Sequence, residues 1–91
     1  MTGNVPTVGI PKNITGTGDV STDDCSMLGF FCNTTTNGTI VFRIGGASGT
    51  VVNAAITPTA ATYYTFPCDC PGGLHATIAN TLDVTIFITI P

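Results

Sequence analysis

The sequence predicts an all-β fold: a small antiparallel sandwich or barrel of six to seven strands with an extended N-terminal arm. Stretches of alternating apolar and polar residues recur along the 91 residues, separated by turn-forming Gly, Pro and Asn. Eighteen residues are Thr, whose branched Cβ suits a pleated strand. No window combines helical apolar spacing with good helix formers. A chain of this length has room for a single domain.

The first 24 residues differ in character from the rest. Pro6 and Pro11 block regular pairing, and four glycines separate scattered apolar residues. We therefore predict an extended arm over residues 1–24, with one short strand near Ile14–Val20, and a β domain over residues 25–91. Apolar residues of such an arm are expected to lie on its own domain or on a neighbouring subunit. The candidates for contact are Val5, Val8, Ile10 and Ile14.

The domain begins with a predicted β-hairpin. Its first strand is Met27–Thr35 and its second is Thr39–Ile44. Asn37-Gly38 lies between them, and both residues tolerate the positive φ angles of a tight hairpin turn. Alternation in the second strand places three residues on one face: Ile40, Phe42 and Ile44.

Four more strands are predicted after a glycine-rich turn. They are Thr50–Thr57, Thr62–Phe66, Leu74–Ala79 and Leu82–Ile90, with a tight loop over residues 67–73. The last strand alternates most regularly and should bury one face, consisting of Leu82, Val84, Ile86, Ile88 and Ile90. Three aromatic residues on these strands are candidates for an interface: Tyr63, Tyr64 and Phe87. Burial under a loop of the same chain is the alternative.

Charge is scarce in this sequence. Charged residues make up 8 %, against about 25 % in typical domains. Lys12 and Arg43 are the two cations, too few to neutralise the phosphates of a nucleic acid. The same scarcity excludes a coiled coil and a charged disordered tail. With a mean hydropathy of +0.44, either Thr, Ser and Asn keep the surface soluble or apolar surface is buried against other subunits. We favour the second explanation.

The sequence lacks the usual membrane and export signals. No run of about 18 apolar residues exists to form a transmembrane helix. The start, Met1 to Pro6, lacks the basic and apolar blocks of a secretory signal. We therefore expect synthesis in the cytoplasm without export; a mature secreted domain with an added Met is the alternative. Three Asn-x-Thr sequons, at Asn13, Asn33 and Asn37, are attributed to chance in so Thr-rich a chain.

The four cysteines are the most specific feature, and three states are open to them. They are spaced as Cys25-x6-Cys32 and Cys68-x-Cys70. A bond within the second pair would close a strained ring, so disulfides should join Cys25 and Cys32 to Cys68 and Cys70. The alternatives are free buried thiols, or one zinc ion held by all four thiolates. Disulfides would place the protein in an oxidising environment after assembly in the cytosol, as in a virus particle.

No arrangement of residues predicts catalysis. His75 is the single histidine, and no motif joins it to Cys68 or Asp83, the nearest candidates for a catalytic partner. We expect it to be structural. The sequence also has no glycine-rich phosphate loop between a strand and a helix. We predict no catalytic residues, no cofactor and no enzymatic activity.

A group of acidic residues precedes the first cysteine. Asp19, Asp23 and Asp24 could offer oxygens to Ca²⁺, but the chain has no Glu for the usual bidentate ligand. Loop capping by these side chains is the favoured explanation.

In overall character the chain resembles the small accessory virion proteins of tailed bacteriophages, of the capsid decoration (cement) or head-spike type. Those proteins are likewise short, Thr-, Gly- and Ala-rich, sparsely charged and all-β, with extended arms. The resemblance implies an oligomeric structural protein on the outer capsid surface, made in the host cytoplasm. Its expected partners are the major capsid protein and copies of itself, with no nucleic acid and no membrane. The expected contact surfaces are the arm from Val5 to Ile14 and the exposed face of Leu82–Ile90.

The alternative function is a secreted or surface-displayed β-rich module, such as an adhesin or a pilin-like subunit. The regular alternation of Leu82–Ile90 would suit strand addition between subunits.

Overall fold

The computed structural model describes residues 9–91, which contain strands, turns and bends but no helix. The all-β prediction is confirmed. Six strands form one antiparallel sheet: β1 (Ile10–Ile14), β2 (Gly18–Ser21), β3 (Cys25–Ile44), β4 (Thr50–Val51), β5 (Thr62–Cys70) and β6 (Leu74–Thr89).

Two long strands organise the sheet. β3 and β6 pair antiparallel along almost their whole length, from Ser26 opposite Thr89 to Ile44 opposite Leu74. Beside the C-terminal part of β6 lies β1, and beside the N-terminal part of β3 lies β5. We call this region, in the order β1-β6-β3-β5, the first half. The second half has the order β2-β6-β3-β4.

The two halves face each other because the paired strands bend in the middle. Phe30 and Phe42 are twelve residues apart on β3, about 40 Å in a straight strand, yet their ring centroids are 5.4 Å apart. The bend lies where Asn37 and Asn80 adopt positive φ angles of 55° and 61°. One bent sheet thus builds the two layers of a sandwich around a common core.

The inner faces of both halves supply the core. Phe42, from the second half, also packs edge-on against Phe66 of β5, with ring centroids 5.6 Å apart. The alternation predicted for the last strand is confirmed at its even positions through Ile88, whereas Ile90 lies beyond β6 and is 49 % exposed. The most deeply buried side chains are Met27, Phe30, Cys32, Ile40, Phe42, Cys70, Leu74, Leu82, Val84, Ile86 and Ile88.

Asn37-Gly38 is not a hairpin turn, contrary to the prediction. β3 continues through it, and Thr36 and Asn37 both lie opposite Thr81 of β6, so the positive φ of Asn37 forms a β-bulge. The predicted strands Met27–Thr35 and Thr39–Ile44 are therefore one strand. The same holds for Leu74–Ala79 and Leu82–Ile90, which join in β6. Turn-forming residues here bend a strand instead of ending it.

The predicted strand Thr50–Thr57 is mostly absent. β4 covers Thr50 and Val51, and beyond it one isolated bridge joins Ile56 to Ile40. Between these points the Asn53 side chain replaces a strand backbone: its Oδ1 accepts from Phe42 N–H at 2.9 Å, and its Nδ2 donates to Ile40 C=O at 3.2 Å. The predicted loop over residues 67–73 is shorter, because β5 extends to Cys70.

The predicted arm overlaps the sheet from Ile10 onward. β1 pairs with β6 from Ile10 opposite Ile88 to Ile14 opposite Val84, and β2 pairs with the other end of β6. Pro11 fits β1 because an edge strand can leave one side without a donor. Val5 and Val8 lie outside the described residues.

Candidate interaction surface

The outer face of the first half carries an aromatic cluster. Phe31, Tyr63 and Phe87 surround Gly29, which lies opposite Phe87 on β6 and opposite Thr65 on β5. The Tyr63 ring crosses Gly29 and meets Phe87 edge-on, with centroids 6.0 Å apart. A Cβ at Gly29 would lie 2.5 Å from the Tyr63 hydroxyl oxygen, so only glycine leaves room for this ring. We call these three aromatic residues the outer patch.

The two cross-strand rows that contain the outer patch carry no charged side chain. They are Pro11–Phe87–Gly29–Thr65 and Asn13–Thr85–Phe31–Tyr63. One charge borders them, since Asp83 accepts a hydrogen bond from Asn13 of the second row. Tyr63 is 46 % exposed, and an exposed aromatic residue among uncharged neighbours is typical of the centre of protein interfaces.

The other predicted interface residues divide between surface and core. Ile10 is 43 % exposed at the edge of the sheet, whereas Ile14 packs against the core. Tyr64 faces inward, stacks on Phe30 at 5.0 Å between centroids, and accepts a hydrogen bond from Thr59 N–H at its hydroxyl. Tyr63 and Tyr64 therefore face opposite sides of β5, and only Tyr63 remains an interface candidate.

Phe87 is partly covered by its own chain. A Cβ at Gly9 would come within 2.6 Å of Phe87 Cβ and 3.2 Å of Leu28 Cδ1, so the backbone at Gly9 lies directly on these side chains. Phe87 is half-buried as a result. Burial beneath the same chain, the alternative offered by the sequence, therefore accounts for part of its surface.

The predicted strand addition at Leu82–Ile90 has no free edge to use. Within β6, Ile88 lies opposite both Ile10 of β1 and Met27 of β3, so the backbone is paired on both sides. β5 differs, since within residues 9–91 it pairs with β3 alone. Among residues 9–91, the edges of the first half are thus β1 and the aromatic strand β5, and the last strand lies inside the sheet.

Asp83 is the centre of a polar network that the sequence did not indicate. Its Oδ1 accepts from Asn13 Nδ2 at 2.7 Å and from Asn33 Nδ2 at 3.0 Å. Asn33 also donates to Thr85 Oγ1 at 3.0 Å. Two sequon asparagines thus tie β1, β6 and β3 together on the outer face. The spacing of 50 and 70 residues between the partners leaves no local signal.

All four cysteines are free thiols, so the predicted disulfides are not formed. Cys25 lies opposite Cys70, their thiols are within hydrogen-bonding contact, and Cys70 Sγ contacts Cys68 C=O at 3.4 Å. Cys32, by contrast, lies opposite Thr62, seven residues farther along β3. The expected pairing of both early cysteines with both late ones is wrong because an extended β3 separates Cys25 from Cys32.

Burial makes three of the thiols weaker acids than an ordinary cysteine. The pKa of Cys70 is raised to about 12, chiefly by burial and also by the nearby Cys68 and Cys25 sulfurs. Burial also raises the pKa of Cys25, an effect partly offset by its contact with Cys70, and the pKa of Cys32. A raised pKa favours the protonated thiol, which is a poorer nucleophile than the thiolate.

His75 is buried and paired with an acidic side chain. Its Nδ1 lies 2.8 Å from Asp19 Oδ1, and the two residues face each other across β6 and β2. Cys68 and Asp83, considered from the sequence as examples of a catalytic partner, form no side-chain hydrogen bond with it; the bond goes to Asp19. Over residues 9–91, His75 makes no side-chain hydrogen bond to a nucleophile. The pair links the short strand β2 to the sheet.

Of the other two acidic residues before Cys25, Asp24 caps a loop with its side chain, since its Oδ1 accepts from Gly72 N–H at 2.7 Å. At Asp23 the backbone is bonded instead: the Ser21 hydroxyl donates to Asp23 C=O and accepts from Asp23 N–H. Across the described part of the chain, no three His, Cys or Asp side chains converge in an arrangement suited to a metal ion. An open cleft of about 190 Å³ lies near the thiols, lined by Asp24, Cys25, Ser26, Asp69, Thr89, Ile90 and Pro91.

Residues 9–91 form no helix of the length and apolarity needed to cross a bilayer. Comparisons with protein-family models, with curated proteins and with solved structures each give no significant match.

Proposed function

We propose that the chain is a structural virion protein that binds and stabilises the outer surface of an assembled phage capsid. The observation that carries the proposal is the outer patch, in which exposed Tyr63 and half-buried Phe31 and Phe87 lie in two cross-strand rows without charge. A small domain with 8 % charged residues gains solubility when such a surface is covered by a neighbouring subunit.

The architecture suits attachment to a shell. The inner faces of the bent sheet form the core, and the outer face of the first half takes no part in it. A partner can therefore cover that outer face while the core stays intact. The patch offers aromatic area held rigid by Gly29, which lowers the entropy lost on binding. Contact through aromatic and Thr side chains also tolerates changes in ionic strength, because few charges take part.

The direct test is cosedimentation with shells assembled from the major capsid protein of the same genome. Wild-type protein should move with the shells in a sucrose gradient. Tyr63→Thr should bind at least about 10-fold more weakly, since central aromatic residues often dominate interfaces. Val51→Thr is the matched control: Val51 is 49 % exposed but lies on β4, in the other half, and should bind normally.

Two results would contradict the proposal. Wild-type protein that stays at the top of the gradient with both unexpanded and expanded shells would exclude capsid binding. Equal binding by Tyr63→Thr and wild type would exclude the outer patch as the contact surface.

A surface-displayed adhesin or pilin-like subunit is the second candidate function. The open edge of β5 favours it, because an extended segment from another subunit could add there. This function predicts filaments of the isolated protein in negative-stain images, whereas the capsid protein should decorate shells and form no filaments alone.

A further inference from the structure

We propose that the open edge of β5 is a self-association site, where Thr62–Phe66 of one protomer pairs antiparallel with the same residues of a second copy. This inference deepens the proposed function, which includes self-association, by assigning the surface and the geometry.

β5 is the least protected of the four edge strands in the described sheet. β1 carries Pro11 and Lys12, both of which discourage pairing, while β2 and β4 have four and two residues. β5 has nine residues, and none of the first seven is charged. Native edge strands usually carry charge, proline or a bulge to prevent edge-to-edge contact. In β5 these features are confined to its end, at Pro67, Asp69 and the bulge beyond Thr65, so the segment Thr62–Phe66 has none of them. An uncharged edge segment of this length is expected to have a partner.

Proline limits how much of β5 can pair. Pro67 lacks an N–H donor, and the register of β5 against β3 shifts beyond Thr65. The segment before it, Thr62–Phe66, alternates regularly: Tyr63 and Thr65 point outward, while Tyr64 and Phe66 pack toward the core. Five residues match a typical strand length.

A second copy fits this segment by symmetry. Antiparallel pairing about Tyr64 sets Tyr63 opposite the partner's Thr65, an aromatic and β-branched cross-strand pair. The one acidic residue on β5, Asp69, would lie far from the partner's Asp69, at the opposite end of the seam, so no like charges meet. The two-fold arrangement would join both first halves in one eight-stranded sheet and set the two outer patches side by side.

The test measures the mass of the isolated chain by size-exclusion chromatography with light scattering, from about 10 to about 500 µM, because a seam this small predicts micromolar affinity. Wild type should approach twice the monomer mass of 9.3 kDa. The double variant Tyr63→Lys/Thr65→Lys should weaken association by about 100-fold, since buried like charges oppose pairing. Its control is Thr77→Lys/Ala79→Lys, which adds the same charge at exposed positions of β6.

Hydrogen exchange adds a readout of the backbone itself. Amides in Thr62–Phe66 should gain protection in the wild-type dimer and lose it on dilution. Far-UV circular dichroism and urea unfolding verify that the edge variant is folded. If that variant did not fold, the loss of protection in wild type on dilution would still decide the proposal.

Several outcomes would overturn the inference. They are a monomeric wild type at the highest concentration, an edge variant as dimeric as its control, and dimerisation that appears only after removal of residues 1–8. The last would indicate that the N-terminal segment occupies the edge. Each result is obtained without a shell, so it is independent of whether the protein binds capsids.

Discussion

The role of several individual residues depends on the residue that lies opposite on a neighbouring strand. Gly29 permits an aromatic ring to lie over β3, and Asn53 completes backbone hydrogen bonds where a strand is missing. Asp83 accepts hydrogen bonds from side-chain amides on β1 and β3, and His75 contacts Asp19 of β2. All of these contacts join residues on different strands or segments, so they form only when the strands pair in the observed register.

Gly29→Ala should destabilise the protein by about 1–3 kcal/mol, because an added Cβ would collide with the Tyr64 carbonyl oxygen and the Tyr63 ring. Urea unfolding followed by circular dichroism measures the change. Gly18→Ala is the matched control on β2, where an added Cβ meets nothing within 4 Å; it should alter stability by less than about 0.5 kcal/mol. Equal effects of the two substitutions would show that Tyr63 does not lie over Gly29.

Thiol reactivity should divide the cysteines into two groups. At pH 8, iodoacetamide should modify half-buried Cys68 first in the folded protein and all four thiols after denaturation, because burial protects the others. Tryptic cleavage at Arg43 leaves Cys68 and Cys70 in one peptide, so fragmentation of that peptide in tandem mass spectrometry identifies which of the two is modified. Rapid modification of Cys70 in the folded protein at pH 8 would contradict its pKa of about 12.

The same pKa shifts give a pH dependence with a definite sign. The folded protein retains protons on Cys25, Cys32 and Cys70 at pH values where the unfolded chain has lost them. Stability is therefore complete below the ordinary thiol pKa of about 8.5–9 and falls as the pH rises toward 12. Urea midpoints from pH 8 to 11 under reducing conditions should decrease. Triple replacement of these cysteines by Ala should flatten the profile, although it lowers stability at every pH.

At the scale of elements, the feature that determines the architecture is the bend in β3 and β6. Asn37 lies opposite Thr81, next to Asn80; both asparagines have positive φ angles, and Asn80 Nδ2 donates to Asn37 C=O at 2.8 Å. Gly38 lies in the crease, where an added Cβ would be 2.5 Å from the Thr81 carbonyl oxygen. The bend makes one pair of strands serve both layers of the sandwich.

Asn37→Val should cost about 1–2 kcal/mol, because a β-branched residue strongly resists the left-handed backbone region. Asn37→Gly should retain nearly full stability, since glycine adopts positive φ freely. Asn37 is exposed, so lost packing does not confuse the comparison. Thermal unfolding of both variants checks the result. Equal stability of the Val and Gly variants would mean that the bend does not depend on this backbone conformation.

At the scale of the whole molecule, few contacts are local. The β3–β6 pairing joins residues as far apart as Ser26 and Thr89, and β1 must then add to the far side of β6. Loop closure over such distances is entropically costly before the contacts form. We expect folding in milliseconds to seconds by stopped-flow fluorescence of Tyr63 and Tyr64. Complete folding in under about 100 µs would show that pairing of distant strands does not limit the folding rate.

The distribution of charge also belongs to this scale. The scarcity of charge is a property of the whole composition, but only the folded sheet shows that the uncharged rows meet around Gly29 and that β5 is the exposed edge. Both proposed interfaces rest on that placement. They share Tyr63, whose ring belongs to the outer patch and whose backbone belongs to the β5 edge, so the masses measured without a shell are needed to separate the two.

Local periodicity was enough to predict the all-β class, the approximate positions of most strands and the buried alternation of Leu82, Val84, Ile86 and Ile88. Side chains of a strand alternate with a period of two residues, so these features can be read from neighbouring positions. Three features became visible only in the folded sheet: Asn37-Gly38 bends a strand instead of ending it, Cys32 lies apart from the other thiols, and β5 is one edge of the described sheet. These three features depend on which strands pair and in which register. The interactions that select the pairing join residues far apart in the chain, so neighbouring positions do not indicate them.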